Sequence, residues 1–262
     1  KLKLKGVDYF RINLSHTPVG EIETTVKKLT ELNVKLMIDT EGPQLRTGNS
    51  MEIIFEEDSL VNIHLNRVEC NSQNIYFEPL GLLGGLEIGD LFVVDFNSAM
   101  IKIVNTSDKN KIVCEVIVGG KVGAQKGVYV EGGIKLPFLS KKDKKAIEIA
   151  KKYGVIYFSL SFVSSIQDIN EFKSLYPDAF ILSKIETKRA VNNIDDIIRK
   201  SDGILIDRGD LSKEISVERI PFVLKYVINR ARLQSKNIFV ATNTLERMSN
   251  YLKPSGSETN DI

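Results

Sequence analysis

The chain is poor in the residues that build zinc sites and disulfide frameworks. It has two cysteines, Cys70 and Cys114, far apart and without a CxxC pair. That gives no zinc signal and no disulfide scaffold, and it suits a reducing compartment. Its two histidines, His16 and His64, lack metal-ligand spacing. Charge of one sign is missing as well. Lys+Arg 36 against Asp+Glu 34 leaves a net +2, and the basic residues are dispersed. That balance argues against a nucleic-acid partner. No apolar run is long enough to span a membrane, and no secretory leader opens the chain. The expected setting is soluble and cytoplasmic, although KLKLKG does not read as a natural start. No GxGxxG follows the first strand, which argues against a dinucleotide-binding sheet.

What is present is enough apolar residue for a large core. The chain has 262 residues, 42% apolar and 27% charged, so one or two domains are expected. Both outer regions alternate strand and helix. DYFRINLS (8–15), VKLMIDT (34–40), VIYFSLSF (155–162), AFILSKI (179–185), DGILIDRGD (202–210) and NIFVATN (237–243) read as six strands. Helix-period segments lie between them, such as 20–32, TKRAVNNIDDIIRKS (187–201) and KKDKKAIEIAKKYG, which Gly154 would stop. Repeated βα units predict a parallel sheet with helices outside.

Residues 51–135 break the pattern. EIIF, LVNIHLN, NIYF, LFVVDF, KIVNTS, KIVCEVIV and GVYV are short, rich in Val and Ile, and separated by Gly, Asn and Asp. They predict a small all-β domain inserted into the βα series. Emerging from the C-terminal end of a strand, it would serve as a lid, or else be an inert insert.

Polar residues gather at the C-terminal ends of the six strands: Arg11, Asn13 and Ser15; Asp39 and Thr40; Ser161; Lys184 and Glu186; Arg208 and Asp210; Thr242. In a (β/α)₈ barrel that end carries the active site. Lys184 and Glu186 are two apart on a strand, so they leave the same face. They read equally as a buried structural ion pair or as part of a site. Asp210, at the end of another strand, brings a second carboxylate, and two hard oxygen ligands suit Mg²⁺. A lysine beside them supplies the positive charge that a transferring phosphoryl needs. Asn13, Ser15, Asp39 and Thr40 make a second oxygen-rich set, suited to a cation or to capping loop amides. Arg11 suits a phosphate or carboxylate.

In order, RINLSH, IDTEGPQLRTG, LSFVSSIQDI, SKIE, DGILIDRGDL, FVATNTLERM and PSGSETND resemble the motif series of pyruvate kinases across nearly the whole chain. The resemblance implies a TIM-type (β/α)₈ A domain, residues 1–50 and 136–262, interrupted by a β-barrel B domain, residues 51–135. It implies transfer of the phosphoryl group of phosphoenolpyruvate to ADP, giving pyruvate and ATP. Lys184 would neutralise the phosphoryl in flight. Glu186 and Asp210 would hold Mg²⁺ or Mn²⁺. The backbone at Gly209 and Asp210, with Thr242, would meet the substrate carboxylate, and Thr242 would lie on the path that protonates the enolate. Arg11 and Ser161 would contact phosphate. Arg46, His16 and Lys126 would lie towards the nucleotide. Asn13, Ser15, Asp39 and Thr40 would match a K⁺ site. A homo-oligomer is implied for the full-length protein.

The sequence also departs from that family pattern. DTKGPE is DTEGPQ here, with Glu41 for Lys and Gln44 for Glu, and the second change bears on potassium dependence. ARGDLG is DRGDLS, which adds Asp207 and Ser212. ATQMLE is ATNTLE. VDDG is VDFN, with Phe96 for an acidic residue. LPG is VEG, ending at Gly132. PTRAE is PSGSE, with Gly256 for an arginine. The changes fall on the nucleotide side, while the metal and phosphoryl residues remain. Two alternatives follow: a related enzyme with a different acceptor, or a non-catalytic homologue. Six strands are visible where a barrel needs eight, so the chain is expected to be a fragment.

Overall fold

The computed structural model describes residues 5–81, 83–95, 98–131, 134, 136–242, 244–255 and 258–260. Phe96, Gly132 and Gly256 lie outside the described residues. The chain divides into two compact units, Gln44–Pro137 and the two flanking segments Lys1–Pro43 and Phe138–Ile262 taken together.

The flanking unit opens with β1 (Phe10–Asn13), α1 (Ile22–Glu31) and β2 (Leu36–Asp39). The inserted unit carries β3 (Leu45–Thr47), β4 (Ile53–Phe55), β5 (Leu60–His64), β6 (Asn74–Glu78), β7 (Leu91–Val94), β8 (Ala99–Asn105), β9 (Lys111–Val118), β10 (Gly120–Val122) and β11 (Gly127–Val130). The flanking unit then resumes with α2 (Lys141–Tyr153), β12 (Tyr157–Leu160), α3 (Ile166–Leu175), β13 (Phe180–Ile185), α4 (Lys188–Asn192), α5 (Ile194–Lys200), β14 (Gly203–Asp207), α6 (Arg208–Leu211), α7 (Ile220–Leu233) and β15 (Asn237–Ala241).

Six strands of the flanking unit form one sheet in the order β1-β2-β12-β13-β14-β15. Every neighbouring pair is parallel. Sequence order is therefore spatial order, as consecutive βα units dictate. Among the described residues this sheet is open, and no eight-stranded closure is seen. β13 shows why the helices gather on one face. Ile181 and Ile185 join the core with Phe158, Phe172, Ile197 and Val227. Ser183, of the same parity, shares a 2.6 Å hydrogen bond with Ser201 at the end of α5. The alternation of a strand then turns Lys184 to the opposite face.

Local chemistry fixes the helix ends. Ser140 and Asp143 form a reciprocal capping box at the start of α2. Gly154 ends it at φ +67, in the left-handed region that suits glycine. The segment 187–201, read as one helix from the sequence, is two. Thr187 caps α4, and a break at Asn193 starts α5. Likewise RGD does not extend a strand: β14 stops at Asp207, and Arg208–Leu211 turn into α6. Asp207 accepts from the Gly209 N–H and so caps that turn.

In the inserted unit, seven strands close into a barrel in the order β11-β3-β6-β5-β9-β8-β7, and β10 pairs with β4 as a separate ribbon. Alternation fills the barrel. Val61, Ile63, Ile75, Phe77, Phe92, Ile101, Ile103 and Cys114 are buried within it.

Candidate phosphoryl-transfer and metal site

The site lies at the C-terminal ends of β2, β12, β13 and β14. Lys184 is buried, 7% exposed. Its ammonium is 2.7 Å from Glu186 Oε1, 3.7 Å from Asp39 Oδ1 and 3.7 Å from Asp207 Oδ2. It also donates to Ser161 Oγ at 3.3 Å. The Lys184–Glu186 contact is close but lacks the angles of a directed hydrogen bond. The other Glu186 oxygen accepts from the Phe162 N–H at 2.6 Å. Glu186, Asp207 and Asp210 each offer a carboxylate oxygen, and the three lie within 4.8 Å of one another.

The charges are unequal in number. Burial works against the Lys184 charge, but Glu186, Asp39 and Asp207 outweigh it and hold the ammonium above its ordinary value. Burial pushes the Glu186 carboxyl up; Lys184 opposes that shift, and Asp210 adds to it. One buried cation thus faces more carboxylate than it can neutralise. Lys213 takes part of the load, pairing with Asp210 at 2.5 Å. The donor set is hard oxygen, and Glu186 Oε1 is buried without a directed donor. Those features fit a divalent cation of the Mg²⁺ type.

Close packing sets the floor of the site. Ser161 Oγ donates to the Thr40 carbonyl at 2.7 Å, and the Ser161 N–H donates to Thr40 Oγ1 at 2.9 Å. Gly42 sits at φ +72, and a Cβ there would come within 3.0 Å of Ser161. Asp143 accepts from the Glu41 and Gly42 N–H groups, tying this turn to the start of α2. Glu41 itself turns to Lys142, 3.7 Å away.

Arg11 and the second oxygen-rich set are engaged within the protein. Arg11 grips Asp39 through Nε at 2.9 Å and a second nitrogen at 2.7 Å. Asn13 stands beside Asp39 in the β1–β2 register, and its side chain accepts from the Ser15 N–H. The Thr40 hydroxyl also lies 3.4 Å from the Ser159 carbonyl. His16 is exposed in the turn after β1. Arg46 and Lys126 belong to the inserted unit. Arg46 donates to Gln44 at 2.7 Å and to the Gln125 carbonyl at 3.1 Å. Lys126 lies 3.6 Å from Asp95.

Asp207 joins the site although sequence reading noted it only as an added residue. The β14–β15 register sets Asp207 beside Ala241, so Thr242 follows directly. The Thr242 hydroxyl donates to Asp207 Oδ1 at 2.6 Å. Arg208 donates to the Thr242 carbonyl at 2.6 and 3.0 Å. Thr242 sits at φ +74. For a β-branched residue that conformation costs ~1–3 kcal/mol and persists only where the surroundings hold it.

The family model described as "Pyruvate kinase, barrel domain" matches residues 1–262. The chain belongs to the pyruvate kinase family. It is 30% identical to a pyruvate kinase of Thermotoga maritima, over 98% of this chain and 58% of the relative. It is also 30% identical to a pyruvate kinase of Corynebacterium efficiens, over the whole chain and 58% of the relative. Identity is 29% with plastidial pyruvate kinase 3 of Arabidopsis thaliana, over the whole chain and 48% of the relative. The chain spans about half the length of these curated relatives. No helix among the described residues is long and apolar enough to cross a membrane.

Proposed function

We propose that this chain carries the phosphoryl-transfer site of a pyruvate kinase-like phosphotransferase, acting on phosphoenolpyruvate and ADP. The observation that carries the reading is Lys184: a buried ammonium, held charged by Glu186, Asp39 and Asp207, beside the carboxylate cluster that Glu186 and Asp207 form with Asp210. A transferring phosphoryl spreads its charge over its equatorial oxygens, and catalysis consists largely of positioning and charge stabilisation. A preorganised ammonium in a water-poor site stabilises that charge without reorganising.

Glu186 and Asp210 would hold Mg²⁺ or Mn²⁺, which would supply positive charge to the transferring phosphoryl. Lys184 meets the phosphoryl from the strand side, with Ser161 orienting its ammonium. The Gly209 and Asp210 N–H groups and the Thr242 hydroxyl would receive the substrate carboxylate, and Thr242 would lie on the path that protonates the enolate. Arg11 would contact phosphate only after leaving Asp39. K⁺ would be held by Asn13, Ser15, Asp39 and Thr40; Arg11 meets only Asp39 Oδ2 and leaves Oδ1 without a hydrogen-bond partner. A lactate dehydrogenase-coupled assay with phosphoenolpyruvate, ADP and Mg²⁺ on the intact protein tests the reading. Metal-dependent pyruvate release matched by ATP supports it; no turnover with any nucleoside diphosphate overturns it.

A second reading keeps this site and changes the acceptor. It is favoured by Glu41, which replaces a lysine of the family pattern and pairs with Lys142. Metal-dependent binding of pyruvate or oxalate without ADP binding would select it.

A further inference from the structure

Asp207 helps to hold Lys184 charged, yet the proposed function gives it no contact with substrate. It ends β14, and its carboxylate accepts from two donors at once: the Thr242 hydroxyl at 2.6 Å and the Gly209 N–H at 3.2 Å. Its second oxygen lies 3.7 Å from the Lys184 ammonium. These are the polar hydrogens that converge beside the carboxylate cluster of Glu186 and Asp210. An incoming carboxylate needs the same hydrogens.

We propose that Asp207 is an internal stand-in for the substrate carboxylate, and that it sets the affinity of this site for carboxylate-bearing substrates. The inference rests on the reading that Gly209 and Thr242 receive that group. Three physical points support it. First, a hydroxyl has one proton to donate, so while Thr242 bonds Asp207 it cannot also donate to a ligand. Second, a substrate carboxylate placed beside Asp207 would meet a like charge with Glu186 and Asp210 close behind. Third, Thr242 is held in a left-handed conformation by Asp207 at its hydroxyl and Arg208 at its carbonyl. Displacing Asp207 therefore costs a charge-assisted hydrogen bond and loosens a strained residue. The site is self-satisfied when empty. It opens to a carboxylate only where metal and phosphoryl contacts repay that displacement.

Asp207 differs in this from a third metal ligand, which would hold the cation and aid the substrate. Calorimetry separates the roles. Oxalate would be titrated into the intact protein at saturating Mg²⁺, for the unaltered chain, Asp207→Ala and Asp207→Asn; Mg²⁺ alone would be titrated in parallel. Hydrogen bonds to a charged group are worth enough that Asp207→Ala should bind oxalate about ten- to a hundredfold more tightly. Asp207→Asn removes the charge but keeps an acceptor for Thr242, so it should fall between the two; it also carries the test should Asp207→Ala fail to fold. Mg²⁺ binding should survive in both variants. Oxalate binding that is unchanged or weaker in the variants overturns the proposal, as does loss of Mg²⁺ binding. If no form binds oxalate or phosphoenolpyruvate with Mg²⁺, the phosphotransferase reading itself falls, and this inference with it.

Discussion

Glu186 is a carboxylate whose charge burial opposes. Its neighbour Lys184 relieves only part of that penalty, because Asp39 and Asp207 draw on the same ammonium. Such a cluster of hard oxygens suits a divalent cation. Mg²⁺ should therefore stabilise the folded protein by mass action and raise its thermal unfolding midpoint. Glu186→Gln keeps the shape and removes one charge, so the Mg²⁺-induced shift should shrink to nearly zero. Differential scanning fluorimetry with and without Mg²⁺ measures this; an undiminished shift would remove Glu186 from the metal site.

The shared face of Lys184 and Glu186 was legible in the sequence, because strand alternation alone predicts it. The role of Asp207 was not. Its partner Thr242 lies 35 positions away, and only the β14–β15 register brings the two together. The engagement of Arg11 with Asp39 was equally hidden: the sequence offered Arg11 as a free anion contact, and pairing across β1 and β2 satisfies it internally.

At the scale of elements, the strand–helix alternation was readable because apolar periods of two and 3.6 differ over every long segment. Two boundaries were not. RGD was read as strand, and the Asp207 cap turns it into α6 instead. The segment 187–201 was read as one helix, since its apolar period runs through Asn193 without a Gly or Pro to mark the break. The α2 terminus shows the opposite case, with its stop signal written in the sequence. Gly154 at φ +67 has open space where a Cβ would go, so the cost of a side chain there is conformational alone. Gly154→Ala should destabilise the protein by about 1–2 kcal/mol. Urea unfolding followed by circular dichroism reads it, and an unchanged midpoint would show that the helix ends elsewhere.

At the scale of the whole molecule, the chain has two separate hydrophobic cores, one under the parallel sheet and one inside the seven-stranded barrel. An all-β insert was legible from its short Val- and Ile-rich segments, whereas its closure into a barrel was expected only from the family resemblance. Closure depends on β11 pairing with both β3 and β7, and β3 is a three-residue strand with no pattern of its own. The two cysteines, both free thiols, report on the barrel. Cys114 is wholly buried, and burial pushes its thiol up to about 12. Cys70 is half-buried, and its thiol is raised by burial less strongly. The thiolate is the reactive form, so at pH 8.5 iodoacetamide should modify Cys70 first and leave Cys114 intact until the barrel unfolds. Mass spectrometry of the native and urea-unfolded protein distinguishes the two; early labelling of Cys114 would contradict the closed barrel.

The account turns on Lys184 as the charge that meets the moving phosphoryl. The most direct measurement is kcat for phosphoryl transfer from phosphoenolpyruvate to ADP, comparing the intact protein with Lys184→Met after circular dichroism shows both are folded. Removing a preorganised electrostatic stabiliser of this kind should lower kcat by about 10²–10³-fold, with Mg²⁺ binding retained. A folded Lys184→Met protein that turns over at the rate of the unaltered chain would contradict it.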